Sequence, residues 1–283
     1  MKIIILIITC LLLTINTNAQ ANDSEALLYN VGISGIFATI GSIINKKPNE
    51  KLNKVLLKSF AQGSLGGIVS FGSKCLLRET ERKQNLNYVW SAKIMNAAGT
   101  SIIENAAMNR NFWEKWNINI GFNRLEFETK NKFSVRYKIM PIALVYNLMV
   151  ASQTKFELEK SLKTGEFVFS SDSPRFKATN SIAATYPGSI VIKNDEINNF
   201  NVINHEIIHI YQSNTFSILN TYFQKPLDKI SEKNKTFKFI NKYFYLDLHY
   251  LPLRMIYNSQ TKSSNYYSNF FEHEAGYFAN TLR

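Results

Sequence analysis

Hydrophobic patterning divides the chain into an opening apolar run and three regions of different character. Met1-Lys2 is followed by an almost unbroken apolar stretch from Ile3 to Ile15, then by Thr17-Asn18-Ala19-Gln20-Ala21. A positive start, a short apolar run and small residues at a cleavage point describe a secretory signal peptide over 1–19, with 21 as the alternative end. Residues 24–110 hold eight of the twelve glycines, with Gly32, Gly35, Ala38 and Gly41 at intervals of three. Small residues at that spacing let helix backbones approach closely. The pattern predicts helices over Ala26–Asn45, Phe60–Leu77 and Tyr88–Met108. The first two are apolar enough to raise a membrane hairpin. Their Ser and Asn content and Lys74 favour a helical layer packed on the rest of the protein instead.

Beyond residue 112 the period changes to two. Ile118, Ile120 and Phe122 alternate with Asn117, Asn119 and Gly121, and Phe133 to Ile139 alternate likewise. Phe167 with Phe169, and Ile190 with Ile192, add two short runs. The expectation is a small antiparallel sheet of four or five strands, too few for an outer-membrane barrel. From about 198 the pattern is helical, with Asn198 or Asn199 as N-cap and Pro226 and Pro252 as dividers.

Composition narrows the function classes. The chain has 283 residues, 45% hydrophobic, and a formal charge of +12. The two cysteines, one of them inside the leader, exclude a disulfide framework and a cysteine zinc site. An exported chain has little occasion to meet nucleic acid, so its basic charge points to acidic membrane surfaces or other cell-surface anions. There is no Gly-x-Ser-x-Gly, Gly-x-Gly-x-x-Gly or P-loop, and Gly63 to Gly67 lacks the Lys-Ser or Lys-Thr that a phosphate cradle needs.

The chemistry is concentrated in His205-Glu206-Ile207-Ile208-His209. On a helix, positions i and i+4 share a face one turn apart, so both imidazoles can address one ion. Glu206, one step round, can reach a water on that ion as general base and later pass the proton to a leaving amine. The flanks from Val202 to Tyr211 are uncharged outside the motif and contain no Gly or Pro, as a buried helix requires. A metal held this way is expected to be zinc, with a third protein ligand. Gln212 and Thr215 stand where the metzincin continuation needs Gly and His, so that route is closed. Three later residues remain candidates: Glu272, then Glu274 and His273. Glu272 shares a helical face with Ala275, Gly276 and Ala279, whose small size would bring it close to the motif helix, whereas Glu274 projects roughly 200° away. His249, Tyr266, Tyr267 and Tyr277 are candidate donors to an oxyanion.

His-Glu-Ile-Ile-His-Ile-Tyr-Gln followed by Glu272-His273-Glu274-Ala275 resembles the short secreted or membrane-associated gluzincin metallopeptidases, over residues 202–212 and 270–279. The resemblance implies Glu272 as third ligand and a zincin-like domain over 112–283, with proteolysis as the activity. Many such proteins carry an Asp four residues after the ligand Glu to steady a ligating His; Gly276 stands there, so that support must come from elsewhere. The expected fold is therefore α+β and zincin-like. It comprises a glycine-rich helical layer, a small antiparallel sheet, an active-site helix and a C-terminal ligand helix. Ser189–Lys193 is the expected edge strand that would pair with an extended peptide. The expected function is a zinc peptidase of the cell envelope, periplasmic or extracellular, acting on protein or peptide. The alternative is a non-enzymatic envelope protein stapled by a metal.

Overall fold

The glycine-rich third folds as three long helices, α1 (Asp23–Ile44), α2 (Leu52–Arg82) and α3 (Asn87–Ala107). This computed structural model describes residues 22–173, 181–261 and 266–282; the expected signal peptide lies outside them. Asn22 caps α1 by accepting from the Glu25 N–H at 3.0 Å, and Asp23 and Glu25 complement the positive end of the helix dipole. Glycines explain the close packing at two places. A side chain at Gly67 would run into the Asn30 carbonyl of α1, and one at Gly66 would lie 2.7 Å from the Gly99 carbonyl oxygen of α3. By length and composition α1 is suited to crossing a membrane. Here one side of it packs on α2 and α3, while Leu28, Ile36 and Ile43 face outward.

The middle of the chain holds two sheets. β1 (Lys115–Ile120), β2 (Asn123–Glu128) and β3 (Ser134–Ile139) form an antiparallel meander. The first hairpin turns at Gly121, whose φ of +59° suits glycine, so the alternation running on to Phe122 overshoots the strand. Two helices unforeseen from the period-two pattern follow or interrupt, α4 (Pro141–Ala151) and α5 (Leu158–Thr164). Pro141 opens α4 at a position where its missing N–H costs nothing, and Asp247 accepts from the next two N–H groups, of Ile142 and Ala143, at 3.0 and 2.8 Å.

The second sheet contains β4 (Lys155–Phe156), β5 (Phe167–Ser171), β6 (Ala183–Tyr186) and β7 (Ser189–Lys193) in the order β4-β5-β7-β6. It is mixed, because β5 and β7 run parallel. The expectation for Ser189–Lys193 is therefore corrected. β7 is an interior strand, buried from Ser189 to Ile192, and the edges are β4 and, next to β7, β6.

The rest is helical: α6 (Phe200–Phe216), α7 (Thr221–Lys233), α8 (Lys235–Tyr243), α9 (Tyr250–Gln260) and α10 (Phe270–Phe278). The dividers differ from expectation. Pro226 lies inside α7, and Pro252 sits in the first turn of α9, where no N–H is needed. The chain is instead broken at Asn234, which caps α8, and across Phe244 to His249. One core joins the parts: Leu77, Val89 and Ala92 of the helical layer pack with Val168, Ile190 and Ile192 of the sheet and Ile203, Ile207 and Ile208 of α6. The protein is thus α+β with a small antiparallel sheet, and α6 lies at its centre.

Candidate metal centre

Asn199 caps α6, accepting from the N–H groups of Asn201 and Val202, and the helix runs unbroken through His205 and His209. Packing from α2, α10 and the second sheet leaves no solvated face, which explains the uncharged flanks. Asn269 caps α10 in turn and presents Glu272 in its first turn. Across 67 positions of sequence, Glu272 Oε2 comes to 3.0 Å from His205 Nε2 and 3.2 Å from His209 Nε2. The two Nε2 atoms are themselves 3.2 Å apart.

That triangle fits a metal. A tetrahedral zinc with bonds of about 2.0–2.1 Å holds its ligand atoms roughly 3.3 Å from one another. Proton placement agrees. Gln212 Nε2 donates to the Phe271 carbonyl and to Glu274 Oε2, each at 2.9 Å, which turns its Oε1 toward His209 Nδ1 at 2.8 Å. An amide oxygen only accepts, so Nδ1 carries the proton and neutral His209 presents a bare Nε2 lone pair to a carboxylate oxygen. Only a cation, a proton or a metal ion, reconciles the two. Among the described residues, His205, His209 and Glu272 form the cluster able to hold a metal ion.

Charge follows the same logic. Burial disfavours the His209 imidazolium, but the Glu272 carboxylate outweighs it and raises the pKa to about 9. Burial likewise opposes Glu272 ionisation, yet His209 and His205 hold its carboxyl well below the usual range. A metal must therefore displace a proton from His209. Apparent metal affinity is expected to rise up to about tenfold per pH unit until pH nears 9, read by competition with a chelating dye. The metal-free protein should show the converse. The His209 contribution to stability is full below pH 6.5 and is lost as pH rises through about 9.

Gln212 and Glu274 supply the support that Gly276 cannot. Glu274 is no ligand: it lies buried under Gln212, Asn30 and Lys74, with Asn30 Nδ2 donating at 3.0 Å and Lys74 Nζ at 2.7 Å. A chain of bonds thus runs from α2 through Glu274 and Gln212 to the His209 imidazole. Gln212→Ala is expected to weaken metal binding about 10–100-fold with the fold retained, measured by the same competition. His205 Nδ1 faces the Thr281 hydroxyl at 3.4 Å.

The remaining candidates divide. His273 is outside the cluster, with a buried Nδ1 that has no hydrogen-bond partner. His249 is engaged by neighbours other than the cluster. Its nitrogens face Ser213 at 3.3 Å and Asn220 at 2.9 Å, and burial lowers its pKa to about 3. Tyr277 donates to Asp23, and Tyr267 bonds the Thr281 carbonyl and, at 3.1 Å, the Thr281 hydroxyl, so its link to the cluster runs through Thr281 to His205 Nδ1. Gly276 leaves room for the Tyr267 ring and Leu282 and does not press on the motif helix.

Two tyrosines do reach the site. Tyr266 bonds Glu272, and its hydroxyl lies 3.4 Å from His205 Nε2. Tyr257, unremarked in a chain with 14 tyrosines, donates to Glu272 Oε1. Burial and then the Glu272 charge push both phenols well above their usual range, so they remain donors. Thr185, on edge strand β6, places its hydroxyl 2.6 Å from Glu206 Oε2 and 3.0 Å from the Glu206 carbonyl. No known protein family, curated protein or solved structure matches this chain, so the chemistry must be argued from these side chains.

Proposed function

We propose that this protein is a zinc-dependent peptidase of the cell envelope, hydrolysing a peptide bond with water. The observation that carries the reading is the convergence of His205, His209 and Glu272, with Glu206 one residue from the first ligand and separately fixed by Thr185. These three side chains would hold the ion. Bound zinc supplies Lewis acidity that polarises a carbonyl and brings the pKa of a water toward neutrality.

The chain does the rest. Glu206 takes the proton from the attacking water and returns it to the leaving amine, so that water's oxygen ends in the new carboxylate. The Thr185 hydrogen bond limits the rotamers of Glu206 and aims it. Tyr266 supplies an O–H donor beside the ligand cluster for the oxyanion. Gln212 holds the two ligand helices in register, and Tyr257 of α9 holds the Glu272 carboxylate. β6, an edge strand beside Glu206, offers open main-chain groups to an extended peptide. Export and the excess basic charge suit work at an acidic membrane surface.

Deep burial favours a second reading. Glu272 is 4% exposed and Glu206 6%, which also suits a metal that only staples α6 to α10. The deciding experiment measures metal in the purified mature chain and its cleavage of a mixed peptide library, before and after chelation and zinc return. Cleavage lost on chelation and restored by zinc supports the enzyme. Metal present with no cleavage supports the staple. A chain that takes up no metal defeats both.

A further inference from the structure

One face of the three-stranded meander breaks the usual rule for a sheet covered by helices. An antiparallel sheet normally turns an apolar face inward. Here Lys115 and Asn117 of β1, Arg124 and Glu126 of β2, and Lys138 of β3 point to the same covered side. Arg124 is 1% exposed. Above them, α7 and α8 do not close down, and a cavity of about 730 Å³ remains, none of whose walls belongs to the metal centre.

The charges in this cavity do not cancel. Seven cationic side chains line it against four acidic ones. On the floor, Lys115 and Arg124 converge on the single carboxylate of Glu126 at 2.8 and 3.0 Å, with Lys138 at 3.9 Å. Arg124 also reaches Glu104 at 2.6 Å. In the strand register Arg124 stands directly opposite Lys138, a like-charge pair that costs stability. Burial and the neighbouring cations hold Lys115 and Lys138 below the usual lysine range in spite of Glu126. At the rim, Lys238 and Lys242 of α8 face the same space. A protein that only needed to close this interface would do so more cheaply with apolar residues of similar volume.

We infer that the cavity between the β1–β3 meander and helices α7–α8 binds a phosphate-bearing anion, separate from the metal site. A surplus of three positive charges suits a ligand carrying two or three negative ones, and the volume falls in the range of small-molecule pockets. Phosphate chemistry has two sources here, a free phosphorylated molecule or the headgroup of an anionic lipid.

The test uses the full mature chain with inorganic pyrophosphate and, separately, vesicles of phosphatidylglycerol or of phosphatidylcholine. The comparison protein is the rim double variant K238A/K242A, in which two solvent-accessible rim lysines change and the buried floor is untouched. Saturable pyrophosphate binding, weakened at least about tenfold in the double variant, supports a free ligand. Binding confined to phosphatidylglycerol vesicles and lost in the double variant supports a headgroup. No binding to either probe, or equal binding by both proteins, overturns the inference. Metal content, measured in parallel, should be the same in both proteins, so this result is independent of the peptidase reading.

Discussion

Glu206→Gln is expected to lower peptide cleavage by about 10²–10⁴-fold while bound metal stays at the wild-type level. The substitution keeps the length and shape of the side chain, and its amide oxygen can still accept from Thr185. It removes only the basicity that takes a proton from water. The ligand triangle does not include this residue, so the metal has no reason to leave. Metal analysis and initial rates on one preparation separate the readings. Equal rates would remove Glu206 from the chemistry. Loss of metal together with rate would make Glu206 part of the binding site instead. Thr185→Val should move the rate in the same direction by a smaller factor, because the base remains but is less well aimed.

The sequence exposed the part of the site that is local. His205, Glu206 and His209 lie within one turn and a half of helix, and their spacing alone states their geometry. Glu272 was favoured among three candidates because a helical face could be drawn around it, and it is the one brought to the imidazoles. What could not be read is what depends on partners far along the chain. In the sequence Gln212 departs from the metzincin pattern and closes the gluzincin-like string, and neither signal says that it fixes the His209 tautomer. By sequence Glu274 is the weaker of two carboxylate candidates, because it projects roughly 200° from the Glu272 face. It does point away, toward a lysine 200 positions earlier. The parallel pairing of β5 with β7 is likewise non-local, and each short apolar run is compatible with either direction. Tyr257 carried no signal at all in a tyrosine-rich chain. Alternation did mark β1 and β3, but could not tell which face would be apolar, and the charged inner face of the meander emerged only from the packing of α7 and α8.

Lys74→Met should be the most destabilising single change in the helical layer, by about 3–5 kcal/mol. Lys74 and Glu274 are each 3% exposed in their side chains and 2.7 Å apart. Burial opposes Glu274 ionisation, and Lys74, Gln212 and Asn30 together hold its pKa below the usual carboxylate range. Removing the ammonium leaves a buried carboxylate with only amide donors. Against a typical total stability of about 5–15 kcal/mol, such a loss is readily seen in urea unfolding. Adding Glu274→Gln to Lys74→Met should recover most of it, since the charge disappears while an amide can still meet Gln212 and Asn30. The pair also tests where α2 belongs. If Phe60–Leu77 were a lipid-embedded span, replacing its lysine by methionine would ease insertion and leave the metal centre alone. In the packed arrangement the single variant weakens metal binding as well, because Glu274 shares with the Phe271 carbonyl the task of holding Gln212 against His209. Unchanged unfolding and unchanged metal affinity in Lys74→Met would therefore detach the glycine-rich helices from the site.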